Sequence, residues 1–187
     1  MEHNDLEFEM DFWGDCTNTF GEDQKHYIYG NLMGLTGSYF SFDAQDKRIL
    51  DIGGGPTSML LKTYKLIEGK VCDPIDYPQW TKDRYAIKNI SVQVVGGEDI
   101  VESGWDEVWI YNVMQHSEDP EKIIDNAKKS AKVLRIFEWI DIPAHEGHPH
   151  MLTQSNLEKW IGQKGNVTEL TGENGCYGKC FYGTFEL

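Results

Sequence analysis

Long apolar runs are missing from this sequence. None approaches the roughly 20 consecutive apolar residues that a bilayer-spanning helix needs, so no membrane partner is expected. Positive charge is scarce as well. With 17 Lys and Arg against 31 Asp and Glu, the 187-residue chain carries a formal charge of −14, which argues against a surface built to neutralise phosphates and hence against a nucleic-acid partner. The only small basic clusters, KDRYAIK at 82–88 and KKSAK at 128–132, have the composition of solvated helix faces. The acidic start MEHNDLEFEMDFW lacks the positive segment of a secretory signal. Cysteine is sparse: of Cys16, Cys72, Cys176 and Cys180 only the last two are close, and Cys-x3-Cys without a second pair is a poor zinc signature. Reduced thiols in a soluble, cytoplasmic protein are the expectation. No repeat or low-complexity tract is present, and the length suits one domain over 1–187 with one ordinary core.

From residue 47 onward short β-branched runs alternate with amphipathic segments, the pattern of βαβ units. Strands are predicted near 47–52, 69–73, 91–95, 106–112 and 132–139, and helices near 57–66, 79–88, 119–131 and 154–163, the last capped by Gly165. Asp119 and Pro120 suit an N-cap and first turn, and Ile123, Ile124, Ala127 and Ala131 recur at helical spacing to make a buried stripe. The tail NVTELTGENGCYGKCFYGTFEL reads as two strands around a glycine-rich turn, an antiparallel pair at the sheet edge. The predicted fold class is α/β: a Rossmann-like, seven-stranded, mostly parallel sheet with an antiparallel edge strand and helices on both faces. Residues 1–45 are expected to form a helical cap or lid, and 46–187 the ligand-binding core.

The stretch RILDIGGGPTSM at 48–59 joins a strand to a glycine turn, a geometry that lets a ligand approach the backbone at the carboxyl ends of the strands. A dinucleotide fingerprint would need a third glycine where Ser58 stands. Asp51 would also repel a pyrophosphate, yet favour a ligand carrying an ammonium or a sulfonium, which points to S-adenosylmethionine. ILDIGGGPTSMLL resembles the first motif of the class I S-adenosylmethionine-dependent methyltransferases of small-molecule type. VCDPIDYP sets Asp73 at the end of the second strand, twenty positions after Gly53, where a carboxylate can accept both ribose hydroxyls. DEVWIYNVMQHSEDPEKII resembles the family's fourth strand and following turn, with Asn112 to His116 in place of its Glu-His segment. The resemblance implies S-adenosyl-L-methionine as cofactor, held by Asp51, Gly53, Gly54, Gly55, Asp73 and Asn112. After the third strand the family often has Gly-Asp facing the adenine; VVGGEDI here offers Gly97, with Glu98 or Asp99 as the acid that bonds the adenine amino group. Tyr77 and Trp80 either border the adenine or pack as core or lid. The fifth strand lacks the usual glycine-rich lead-in.

Methyl transfer of this kind is a direct displacement in which the protein supplies alignment. A hydroxyl acceptor also needs a base, and a histidine near neutral pKa suits the task. His116, just after the fourth strand, is the first candidate; His145 and His148, in the turn-rich HEGHPH loop, follow. That loop fits no known metal spacing, so no metal is expected. In FWGDCTNTFGEDQKHYIYGNLMGL, Thr19 and Glu22 stand in a capping-box arrangement; Tyr29 and Leu32 are expected to pack on the sheet, and Trp13, Phe20 and Tyr27 to form a water-excluding lid. A small-molecule acceptor, such as a sugar or another hydroxylated metabolite, is expected. Two other classes share the motifs: a noncatalytic S-adenosylmethionine-binding partner module, and a nucleotide-cofactor oxidoreductase.

Overall fold

The computed structural model describes the backbone of residues 3–38, 41–145 and 147–187. In chain order the elements are α1 (His3–Trp13), α2 (Phe20–Leu32), β1 (Gly37–Ser38), β2 (Ser41–Ile52), β3 (Thr63–Asp73), α3 (Gln79–Ala86), β4 (Ile90–Val94), β5 (Trp105–Tyr111), α4 (Pro120–Ser130), β6 (Ala131–Trp139), α5 (Gln154–Ile161), β7 (Asn166–Thr171) and β8 (Tyr177–Glu186). Single 3-10 turns lie at Met59–Lys62, Gly97–Asp99, Met114–His116 and Glu173–Gly175.

All strands join one sheet in the order β4-β3-β2-β5-β6-β8-β7, with β1 paired antiparallel to β2. The pairs β2–β3, β3–β4, β2–β5 and β5–β6 are parallel, while β8 runs antiparallel between β6 and β7. The antiparallel pair predicted for the tail is therefore present, with the last strand inserted inside the edge. The chain runs outward from β2 to β4 and then returns to start β5 on the other side of β2. This reversal of strand order opens a crevice at the carboxyl ends of β2 and β5.

Alternation along the central strands divides the core by face. Leu50, Ile52, Val108, Ile110, Leu134 and Ile136 meet α4 and α5 through Ile123, Ile124, Ala127, Leu157 and Ile161. On the other face Ile49, Val71, Trp109, Tyr111 and Phe137 pack against Tyr29 and Met33, with Met59, Leu60 and Tyr85. The α4 start is as predicted: the Asp119 carboxylate accepts the Lys122 amide at 3.0 Å and Pro120 takes the first turn.

Three predicted elements change. The helix expected over 57–66 is reduced to the turn at 59–62, and β3 begins at Thr63 instead of near 69. The face such a helix would bury is already covered by α2 and its C-cap, through the fully buried Tyr29 and Met33. Helix α5 stops at Gly162 in the left-handed region, φ 83°, with its amide on Glu158 O at 2.8 Å, before Gly165 is reached. Thr19 makes no side-chain cap bond, so the Thr19–Glu22 capping box does not form; Glu22 instead pairs with Lys25 at 3.0 Å. The segment expected as a cap over 1–45 divides, with α2 packed into the sheet and α1 lying along the crevice.

Candidate functional site

A cleft of about 570 Å³ fills this crevice, floored by the glycine loop after β2 and walled by residues after β3, β4, β5 and β6 and by α1 and α2. Gly53 and Gly55 both occupy the left-handed region, with φ 71° and 62°. A side chain on Gly53 would meet Val113 Cγ1 at 2.5 Å, and one on Gly54 would meet Asp51 Oδ2 at 2.6 Å. At Gly55 the nearest neighbour would be Tyr77 OH at 3.9 Å, so its backbone faces open cleft.

With no α-helix behind it, the loop is fixed by side chains. The Tyr85 hydroxyl donates to Gly55 O and accepts the Ser58 amide, both at 2.7 Å. The Tyr111 hydroxyl accepts the Met59 amide at 2.9 Å and donates to Asp51 Oδ2 at 2.6 Å, an oxygen that also accepts from Ser58 Oγ. Asp51 is fully buried beneath the loop and outside the cleft lining, which makes it a support of the glycine turn and not a cleft-facing charge. Burial raises its pKa to about 7 against the opposing bonds from Ser58 and Tyr111.

Asp73 does face the cleft. Its Oδ2 accepts the Gly55 amide at 3.1 Å and its Oδ1 the Ile75 amide at 3.0 Å, which aligns the carboxyl beside the open Gly55 backbone. Burial lifts its pKa to about 6, with those two amides working the other way. Tyr77 lines the same wall, whereas Trp80 lies outside the lining, under the Arg84 guanidinium at 5.3 Å. Of the two acids offered for the adenine, Glu98 lines the cleft, and its Oε1 accepts the Glu118 and Asp119 amides at 2.9 and 3.3 Å. Asp99 lies outside the cleft lining, exposed and 3.5 Å from Lys122.

Asn112 lines the cleft in the left-handed region, φ 57°, and its Nδ2 reaches Glu22 Oε1 at 3.3 Å. The turn it opens is held by Glu138, a fully buried carboxyl whose oxygens accept the Val113 and Met114 amides at 3.0 and 3.1 Å. Burial raises the Glu138 pKa to about 7. That turn delivers His116, whose Nδ1 lies 2.7 Å from Gly147 O and 3.0 Å from Glu9 Oε1. Burial disfavours the imidazolium, but Glu9 and the Gly147 carbonyl outweigh it and the His116 pKa rises. His148 packs edge-on to His116 at 4.3 Å between centroids; burial and then the neighbouring His116 and His145 drive its pKa down to about 4. His145 also lines the cleft, while Glu146 lies outside the described residues. Among the described residues no group of three or more His, Cys, Asp or Glu side chains is placed to hold a metal ion. The four cysteines are buried free thiols.

The lid differs in its members. Trp13 lines the cleft with Phe8, Glu9 and Phe12 of α1, whereas Phe20 and Tyr27 do not line it, and Phe20 is 70% exposed. Sequence reasoning missed Glu9, His26, Tyr85, Tyr111 and Glu138. Glu9, Tyr85, Tyr111 and Glu138 each work on a partner far along the chain. His26, one residue from the lid candidate Tyr27, lies on a helix face whose burial only the packing of α2 reveals.

No protein-family model and no characterised protein sequence matches the chain. Solved structures do. The chain is similar to one in the complex between the Haloferax volcanii Trm112 methyltransferase activator and a methyltransferase, with a TM-score of 0.66, 11% identity and 96% of each chain covered. It is similar to 1,6-didemethyltoxoflavin-N1-methyltransferase of Burkholderia thailandensis, solved with 1,6-didemethyltoxoflavin and S-adenosylhomocysteine, with a TM-score of 0.61 and 10% identity over 96% of this chain and 82% of that one. A SAM-dependent methyltransferase from Thermotoga maritima matches with a TM-score of 0.59 and 12% identity, over 98% and 91% of the two chains. At such identities the likeness is one of fold.

Proposed function

For a chain with the fold of the class I S-adenosylmethionine-dependent methyltransferases, we propose that the glycine-loop cleft binds S-adenosylmethionine and that the protein methylates a small-molecule acceptor, a sugar or another hydroxylated metabolite. The observation that carries the reading is the Asp73 carboxyl held beside the open Gly55 backbone at the carboxyl ends of β2 and β3. Its oxygens accept the Gly55 and Ile75 amides and the carboxyl also bonds Tyr77, which leaves acceptor capacity for a ribose hydroxyl and a Tyr77 bond that a second one can replace. The charge of the cleft agrees. Glu9, Glu22, Asp73 and Glu98 line it against Lys25, a field that favours a sulfonium. A pyrophosphate would find neither a helix N-terminus behind the glycine turn nor a surplus of cations, which weighs against the oxidoreductase class.

S-Adenosylmethionine, when bound, supplies an electrophilic methyl group on its sulfonium. The chain's own part is to bind, orient and keep out water. The open Gly55 backbone admits the ligand, Asp73 takes the ribose, and Phe8, Phe12 and Trp13 roof the cleft. His116 is the assigned proton acceptor for a hydroxyl: Glu9 and Gly147 hold its Nδ1, and its Nε2, in long contact with Gln115 Nε2 at 3.4 Å, takes the acceptor's proton. His145 and His148 line the acceptor side.

Calorimetric titration with S-adenosylhomocysteine and with NAD tests the cofactor, and a methyl-transfer assay over hydroxylated small molecules tests the acceptor. Binding of S-adenosylhomocysteine and methylation of a hydroxyl are expected. Binding of NAD alone would overturn the reading. Binding of S-adenosylhomocysteine with no transfer to any acceptor would put a noncatalytic binding module in its place.

A further inference from the structure

Helix α2 turns a mixed-charge face toward the cleft. Lys25 is the only Lys or Arg among the described residues that line it, and it pairs with Glu22 at 3.0 Å. Glu22 in turn reaches across to Asn112 at 3.3 Å, the residue that opens the turn after β5. Beside them His26 closes the back of the cleft. Its side chain is 0% exposed, yet neither ring nitrogen has a hydrogen-bond partner, although Tyr111 packs edge-on at 5.8 Å between centroids. A buried imidazole with both nitrogens unmatched is costly unless something else supplies the partner.

The glycine loop is poorly placed to supply that recognition itself. The amides of Gly53, Gly55, Ser58, Met59 and Leu60 are already bound by Cys72 O, Asp73, Tyr85, Tyr111 and Ser58 Oγ. The four-residue 3-10 turn that follows offers no helix N-terminus for an anion. An amino-acid carboxylate entering this acid-lined cleft therefore has one cation to meet, Lys25, with an unmatched imidazole beside it. The accompanying ammonium has Glu22 one helical turn away.

We propose that Glu22, Lys25 and His26 of α2 form the subsite for the amino-acid end of the cofactor, with Lys25 and His26 donating to its α-carboxylate and Glu22 accepting from its α-ammonium. The inference rests on the cofactor reading above and adds which element of this chain recognises the zwitterion. The alignment is consistent with general chemistry: an ion pair already spaced at i and i+3 on one helix offers complementary charges to a group bearing both signs.

Paired titrations with S-adenosylhomocysteine and with 5′-methylthioadenosine, which has the same nucleoside thioether but no amino-acid end, isolate this subsite. The wild-type protein should bind S-adenosylhomocysteine at least about 10-fold more tightly than 5′-methylthioadenosine. Lys25→Met should weaken S-adenosylhomocysteine by about 10- to 100-fold, the worth of a charge-assisted bond, while 5′-methylthioadenosine changes by less than about twofold. Glu22→Gln and His26→Phe should reduce the same preference; should His26→Phe fail to fold, Lys25→Met at its part-exposed position decides. Wild-type binding of both ligands with equal affinity, or equal losses for both in Lys25→Met, would overturn the subsite and leave the cofactor reading standing. Binding of neither by the wild type would overturn both.

Discussion

Gly53 and Gly55 share a left-handed backbone, but the space around them differs, and substitutions should separate the two roles. Gly55→Val puts its side chain into open cleft, so the variant should stay folded with about 1–3 kcal/mol of backbone strain and lose S-adenosylhomocysteine binding in calorimetry. Gly53→Val drives the same group into Val113. Strain and overpacking then add to about 2–5 kcal/mol, and a melting experiment should show the loss before any ligand is added. Asp73 has a double duty of the same kind, since it orders the Gly55 and Ile75 amides besides facing the cleft. Asp73→Asn keeps an acceptor for one amide and should weaken S-adenosylhomocysteine by about 1–3 kcal/mol with a small change in melting temperature. Undiminished affinity would remove Asp73 from the ribose. For a hydroxyl acceptor, His116→Asn should lower turnover by about 10²–10⁴ at nearly unchanged cofactor affinity.

At the scale of elements, the cleft is closed by a helix that the Glu9–His116 ion pair helps to tie down. The α1 residue Glu9 meets His116 at 3.0 Å, and Phe8 packs over Gly147, where a side chain would come within 2.7 Å of its ring. The other groups facing His116 are His148, the Gly147 carbonyl and the Glu138 carboxyl behind the turn. Because the folded pKa of His116 is raised, the pair contributes fully below the ordinary histidine value of about 6.5 and is lost as pH rises through the raised value. Hydrogen exchange of the α1 amides, corrected for intrinsic rates, should therefore be slower at pH 6 than at pH 8.5. Glu9→Gln should erase the difference. Equal protection at both pH values in the wild type would show that apolar contacts alone hold the helix.

At the scale of the whole molecule, three buried carboxyls set the pH response. Asp51, Asp73 and Glu138 keep their protons to about pH 7, 6 and 7 in the folded chain, chiefly because burial penalises their charge. In the unfolded chain such groups lose them near pH 4. Between those limits the folded state binds more protons, so stability falls as pH rises. The overall charge of −14 works in the same direction through self-repulsion. Glu107 behaves oppositely: burial is outweighed by Arg135 and Lys47, its pKa falls to about 2, and its contribution is lost only as pH drops toward that value. His26 and His148, held neutral by lowered pKa values, act the other way below about pH 6.5, so the melting temperature should decline from pH 6.5 to pH 7.5. Asp51→Asn retains an oxygen for Ser58 and Tyr111, removes the ionisation, and should flatten that decline; an unchanged slope would show that Asp51 titrates normally.

The same scale divides what the linear chain determines from what folding decides. The glycine turn after a β-branched run, Asp73 at a strand end, the Asp119–Pro120 start of α4 and the alternation of strands with helices are all written in neighbouring residues, because capping, φ preference and apolar periodicity act over a few positions. The loss of the helix after the glycine turn was not legible, since its place is taken by α2, an element that precedes the sheet in sequence and competes for the same apolar face only once the sheet exists. The same holds for the supports of the site. Asp51 and Tyr111 lie 60 positions apart, Val113 and Glu138 lie 25 apart, and Glu9 reaches His116 on a distant turn. Neighbouring residues suffice for the strand-to-glycine-turn platform and its acids; which acids line the cleft, which only brace the loop, and which histidine meets Glu9 were decided by tertiary contacts, because burial and long-range hydrogen bonds set both the direction and the charge of each side chain.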